Sequence, residues 1–369
     1  MRRKAWDKGL GIKALAEYAP RVESKADILM KRLSERAGEI VDMTKWSLFY
    51  TFDVMGLVTF SKDYKQLDDA EEHFTIAAMH SQMEIVGIFG AIPWMVPILT
   101  SIPGLKGPLE VFVRYSNAQI DERKAEWNQD PDPEKMPKDV TSWLIKAMQD
   151  GDPSAPSTIE AFHDDGRLAI IAGSDTTGST LANIFYFLTK HPTVYERLQK
   201  EVDDVKSSGG DASQIPYLDA IITEALRLRP VLPSGLKRNT PPEGLLVDEV
   251  WIPGNTIVFA AQHVIQRDER NFENALEFLP ERWLDEGKHL HKNEQAWFPF
   301  SIGHYSCVGR PLALMQIRTV LHRVASGFDL SFAPGDDGCN FWEETKDTFT
   351  LMCPALPVVL TKREGAMSQ

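Results

Sequence analysis

The sequence predicts a mainly α-helical fold with only small β-sheets. Apolar residues recur three and four positions apart through most of the first half of the chain, which is the spacing of one helix face. A stretch from Ile159 to Lys190 contains no proline and stops just before Pro192. β-Favouring residues cluster around Val247–Ile252 and Thr256–Phe259, and strands are otherwise few.

In chain order, helices are predicted over Tyr18–Arg36, Lys45–Phe60, Glu71–Gly87 and Pro108–Asn128, separated by short polar breaks. From Ile85 to Leu105 the chain is uncharged for long enough to cross a bilayer, but Pro93, Pro97, Pro103, Gly87, Gly90 and Gly104 interrupt it. It therefore reads as an apolar surface loop, able to dip into a bilayer or cover a substrate entrance. Gln129–Lys138 and Gly151–Ser157 read as exposed loops. The long helix Ile159–Lys190 has Gly173 as a weak point, and Tyr217–Arg229 is a helix ended by Pro230. The two strand-like runs flank Pro253-Gly254-Asn255, a hairpin signal. Arg267–His304 has little periodicity and many aromatics and prolines, so it is expected to be irregular but packed. Pro311 and the helical spacing of Ala313, Ile317, Val320, Leu321, Val324 and Phe328 start a last helix at Cys307 or just after it.

A length of 369 residues allows one or two domains, and one domain over 1–369 is expected. The formal charge of −13 argues against nucleic acid as a partner. Three cysteines, Cys307, Cys339 and Cys353, are too few and too scattered for a disulfide framework, which fits a reducing compartment. Met1-Arg-Arg-Lys-Ala-Trp runs into helix-like sequence without an apolar core, so no signal peptide is expected there.

The densest chemistry lies in Phe300-Ser-Ile-Gly303-His-Tyr-Ser-Cys307-Val-Gly309. One cysteine sits in a turn between two glycines, behind an aromatic ring and at a helix N-terminus. Unpaired N–H groups and the positive dipole end favour the deprotonated sulfur there, which suits a thiolate bound to iron. Gly303 allows a positive φ, Gly309 leaves room for a flat cofactor, and Phe300 can shield the sulfur. Alternatively, Cys307 is a buried structural cysteine, or His304-x-x-Cys307 is half a zinc site, although no second pair exists at suitable spacing. Glu224 and Arg227 share a helix face, a pairing that by itself carries little. Asp175 and Thr176 could cap a shorter helix beginning there. Arg238 could be a solvated surface residue.

Together these segments resemble the cytochrome P450 family. Phe300 to Gly309 is similar to its haem-binding loop F-x-x-G-x-x-x-C-x-G, which implies Cys307 as the iron ligand of a haem b (iron-protoporphyrin IX). Glu224-Ala-Leu-Arg227 with Pro280-Glu281-Arg282 resembles the family's buried Glu–Arg–Arg cluster, a structural lock. Ala172-Gly173-Ser-Asp175-Thr176-Thr177 resembles its oxygen-activating motif: Gly173 would supply room for dioxygen where the helix opens locally, and Asp175 with Thr176 would supply protons. By resemblance, Arg238 and Arg3 would bind haem propionates.

The pattern departs from the family in two places. Tyr305 stands where an arginine or histidine usually binds a propionate, and neighbouring His304 is expected to substitute. The family's anchor, first helices and most of its first sheet precede the match to Met1, so the chain is expected to start near the helix called C, and the hairpin near Val247–Phe259 is expected to present an open edge. The fold implied is an N-terminally truncated P450 fold. The function implied is a haem–thiolate monooxygenase inserting one atom of O2 into a small lipophilic substrate, in secondary metabolism, with electrons from NADPH through NADPH–cytochrome P450 reductase. Arg310, Arg318, His322 and Arg323 would form a basic docking face for that reductase. The full-length protein would contact the endoplasmic reticulum membrane on its cytoplasmic side. Alternatives are a reductase-independent P450 isomerase or dehydratase, and a haem-free remnant without catalysis.

Overall fold

The computed structural model describes residues 2–74, 76–78, 80, 83, 87, 94–95, 98, 101, 107–129, 137–210 and 215–363. The expected helix Glu71–Gly87 lies partly outside them, and the loops Ile85–Leu105 and Gln129–Lys138 largely so. Among the described residues, no helix is long and apolar enough to cross a membrane.

The chain opens with α1 (Arg3–Gly9) and α2 (Ile12–Glu35), the latter starting earlier than the expected Tyr18. It runs straight through Pro20, whose ring removes the N–H that would bond the Ala16 carbonyl. Both residues lie on the exposed face, where that carbonyl is open to water. After a short strand, the Asp42 carboxylate accepts the N–H groups of Thr44 and Lys45 at 3.0 and 3.3 Å and starts α3 (Met43–Phe60). This helix is apolar on almost every side and accordingly buried on almost every side, from Trp46 through Phe49, Tyr50 and Phe52 to Val58. Then follow α4 (Gly107–Gln129), α5 (Val140–Gln149) and α6 (Ile159–Lys190). The last is N-capped by Thr158, which accepts the Ala161 N–H at 3.1 Å. Next come α7 (Pro192–Ser207), α8 (Pro216–Leu228) and, after the irregular segment, α9 (Arg310–Gly327).

The centre of the molecule is α6 packed on α3. Glycines make the approach close. A Cβ on Gly178 would lie 2.7 Å from Leu48 Cδ2 and 3.3 Å from Leu48 Cα, and one on Gly166 would run into Ile120 of α4.

The sheets are small and peripheral. In chain order the strands are β1 (Ile40–Asp42), β2 (Arg238–Asn239), β3 (Leu245–Val247), β4 (Val250–Ile252), β5 (Ile257–Val258), β6 (Phe328–Phe332), β7 (Lys346–Thr348), β8 (Thr350–Met352) and β9 (Pro357–Lys362). Strands β1, β9 and β6 form one antiparallel sheet with Ile40 opposite Val359 and Leu330 opposite Leu360. The expected hairpin is displaced. β3 pairs with β4 around Asp248, which takes the positive φ of 49°, and β5 pairs back to β2 rather than to β4. Pro253-Gly254-Asn255 does turn, but Thr240 pins it by donating to the Pro253 carbonyl and accepting the Thr256 N–H, at 2.7 and 2.9 Å. The chain is thereby directed to β2. Leu246, Val250 and Trp251 of the β3–β4 ribbon stay exposed.

Candidate functional site

The cysteine loop is held from below before it turns. Trp297 donates its indole N–H to the Thr223 carbonyl of α8 at 3.1 Å. Gln266 accepts the Phe298 N–H at 2.9 Å, and Gln262 donates to the Phe298 carbonyl at 3.1 Å. Ser301 and Gly303 then take positive φ values of 57° and 67°, and the Cys307 N–H closes the turn onto the Phe300 carbonyl at 2.7 Å. The positive φ expected at Gly303 is thus present, and a Cβ there would meet nothing within 4 Å. The helix begins at Arg310 with Gly309 as its N-cap, just after Cys307. Backbone N–H groups of Gly309 and Arg310 reach the Cys307 sulfur. Burial pushes the thiol pKa up, while those two donors and the charges of Arg3 and Arg310 draw it down without cancelling the rise. The thiol is packed against protein while the residue as a whole keeps an exposed face.

The rim is basic. Arg3 of α1 donates to the Ser306 carbonyl and, at 2.7 Å, to Asp7, and Arg2 pairs with Asp165 of α6. Arg238 lies 4.6 Å above the Tyr305 ring, so the tyrosine at the departure position seats an arginine instead of supplying one. His304 is exposed beside it. The Phe300 ring packs edge-on to Trp297, with the Arg310 guanidinium 5.5 Å away.

Glu224, Arg227 and Arg282 meet in the interior, all three fully buried. Arg227 contacts both Glu224 oxygens at 2.8 Å, and Arg282 reaches one at 3.3 Å. The other guanidinium N–H groups bond carbonyls of the irregular segment: Gln266, Ala275 and Glu277 from Arg227, and Glu273, Asn274 and Leu290 from Arg282. The Leu279 N–H and the Trp283 indole complete Glu224 at 3.0 and 2.8 Å. The segment therefore has a substitute for regular pairing, in which two side chains satisfy six carbonyls.

Helix α6 is one element through Gly173, which faces Met55 of α3. A Cβ there would come within 2.4 Å of the Met55 methyl, so the space Gly173 leaves is filled by α3. Thr176 donates to the Ala172 carbonyl at 2.6 Å, one turn back. Leu168 and Ala172 are exposed on α6, in line with Thr176 at steps of four, and the same line runs back to the exposed Asp164.

Asp175 faces elsewhere. It is buried and accepts from His80 Nε2 at 3.1 Å, a partner not visible in the sequence because 95 residues separate the two. The basic face after Cys307 is also less free than expected: Arg318 binds Asp219 at 2.6 and 3.0 Å, and Arg323 is paired with Glu23 and Asp27.

The donor set fits a haem. The sulfur of an exposed cysteine accepts backbone donors, an open glycine turn lies beside it, two arginines stand at the rim, and α9 packs against α6, on which Leu168 and Ala172 are uncovered. The family model for cytochrome P450 matches residues 2–361. A cytochrome P450 monooxygenase of Eupenicillium brefeldianum is 34% identical over 98% of this chain and 72% of its own length. One from Fusarium pseudograminearum is 37% identical over 98% and 65%. The tryprostatin B 6-hydroxylase of Aspergillus fumigatus is 33% identical over 98% and 64%. The chain thus spans about two thirds of the length of these relatives. The haem domain of cytochrome P450DA superposes with a TM-score of 0.80 at 20% identity, over 97% of this chain and 76% of that one, which shows a shared fold.

Proposed function

The chain belongs to the cytochrome P450 family, the haem-dependent monooxygenases, and from that premise we propose that it binds haem b through Cys307 and hydroxylates a small lipophilic compound of fungal secondary metabolism. The observation that carries this reading is Cys307, an exposed residue just before α9 with two backbone N–H groups directed at its sulfur. Bound haem would supply the activation of O2. The protein's own residues would do the rest. Arg3, Arg238 and His304 would take the propionates, Gly303 and Gly309 would leave the face of the loop clear, and Phe300 would cover the sulfur's flank. Asp175 and Thr176 would hold and pass protons beside the stripe of Leu168 and Ala172.

The apolar character of that stripe, and of Phe349 at the exposed tip of the β7–β8 hairpin, supports a lipophilic substrate. The hairpin is tied to the site's walls, with the Leu351 N–H on the Val231 carbonyl at 3.0 Å and Ser179 donating to the Leu351 carbonyl at 2.9 Å. Electrons would come from NADPH–cytochrome P450 reductase, with Arg310 as the exposed cation nearest the loop. Such a reductase implies work at the cytoplasmic face of the endoplasmic reticulum. The test is the ferrous carbon monoxide spectrum of the haem-loaded protein. A thiolate-type spectrum, lost in Cys307→Ser, is expected, and its absence from the unmodified protein would overturn the reading.

A further inference from the structure

His80 is joined to two carboxylates at once. Its Nε2 lies 3.1 Å from Asp175 Oδ1 on α6, and its Nδ1 lies 3.2 Å from Glu72 Oε1. The three side chains form a gradient from outside to inside: Glu72 is 42% exposed, His80 27% and Asp175 6%. Facing the ring from α3 is Phe52, 6.5 Å away and edge-on, which brings no charge. The neighbouring Asp53 is taken by Lys25 and by the N–H groups of Gln66 and Leu67. We infer that His80 is a positioning residue for proton delivery: it holds Asp175 and passes protons from solvent to it. This rests on the haem monooxygenase reading, which gives Asp175 a proton to deliver.

The chemistry is balanced at each atom. The imidazolium gives the proton on Nε2 to Asp175 Oδ1, leaving a neutral ring with its proton on Nδ1 and a neutral carboxyl one residue from Thr176. Once the carboxyl has passed its proton on and is again a carboxylate, the partly exposed ring turns its free Nε2 outward, takes a proton there from water and turns back to Asp175, and the Glu72 carboxylate favours that charged form. The resting state is therefore loaded. Burial alone would lower the His80 pKa, but the hydrogen bonds to Asp175 and Glu72 override it and lift it from 6.5 to about 10. Among the described residues, His80 is the titratable group bonded to Asp175.

Two measurements test this on the haem-loaded protein. Titration of histidine-labelled protein by NMR should show one ring still charged at pH 8, assigned to His80 by its absence in His80→Gln. In Asp175→Asn that ring should titrate at least one unit lower, and in Glu72→Gln by a lesser shift. The second is substrate-free turnover with NADPH, O2 and a fungal NADPH–cytochrome P450 reductase, read as hydrogen peroxide formed per NADPH and as the solvent isotope effect. His80→Gln keeps a hydrogen-bond donor but cannot take up and release a proton. It should therefore raise peroxide yield several-fold and enlarge the isotope effect, and His80→Ala should do the same. If His80→Gln behaves as the unmodified protein, the residue is only a brace and the proposal fails. It fails equally if the His80 ring titrates in the ordinary range or ignores Asp175→Asn. A protein lacking the thiolate-type spectrum sinks the haem reading instead, so the two failures are distinct.

Discussion

Glu224 and Asp175 are both buried carboxylates facing cationic partners, yet they are built in opposite ways. Glu224 receives two arginines, one backbone N–H and one indole, all in the interior. Among the described residues, Asp175 receives one imidazole, which itself reaches towards the surface through Glu72. A carboxylate with every lone pair engaged by groups that cannot release a proton is a fastener, because guanidinium stays charged and backbone does not titrate. A carboxylate held by one titratable, partly solvated ring can change state. Comparing the two shows that, for a buried acid, the kind of partner and its access to water separate scaffold from site more clearly than burial does.

The sharpest way to break this comparison is Glu224→Ala, which strands two buried guanidinium groups and should cost about 3–5 kcal/mol in urea unfolding. A loss below 1 kcal/mol would remove the cluster's role as the lock beneath the cysteine loop. Arg282→Lys keeps the charge but loses the fork that serves Glu273, Asn274 and Leu290. A cost of about 2 kcal/mol is expected, with weaker haem retention on dilution. Asp175→Asn should cost less, about 1–2 kcal/mol at neutral pH. Its cost should also depend on pH where that of Glu224→Ala does not. The folded His80 pKa lies above its unfolded value, so the stabilisation is complete below about pH 6.5 and is lost as pH rises through about 10. Unfolding curves at pH 6, 8 and 10 should show the gap between Asp175→Asn and the unmodified protein closing. The smallest stability change belongs to Thr176→Ala, expected within about 0.5 kcal/mol. That variant should keep the carbon monoxide spectrum and divert NADPH to peroxide. Full coupling would remove Thr176 from the proton path.

Much of this arrangement was legible in the sequence, for reasons of spacing. Glu224 and Arg227 are three apart on one helix, and Cys307 is framed by glycines and a following Pro311, so local geometry announces them. The residues that complete the site were not legible. Trp297, Gln262 and Gln266 act through side chain to backbone bonds with an irregular segment, which leaves no periodic trace. His80 reaches Asp175 across 95 residues, a pairing set only by how the elements pack. The hairpin was misplaced because Pro-Gly-Asn is the stronger turn signal on paper, while Asp248, with a short side chain that tolerates a positive φ, makes the reversal. The early start of α2 was hidden by Pro20, which an exposed helix face accommodates.

The glycines along α6 have a consequence for how variation in this protein should be interpreted. Gly178 is crowded by the Leu48 and Thr51 side chains, with the Leu48 Cα close behind, and Gly173 by the Met55 side chain. A saturation library screened for retained function would find both nearly immutable, Gly178 the more so because a methionine can swing aside and a main chain cannot. Gly173 would then look catalytic merely for standing two residues from Asp175, when its intolerance measures the distance between two helix axes.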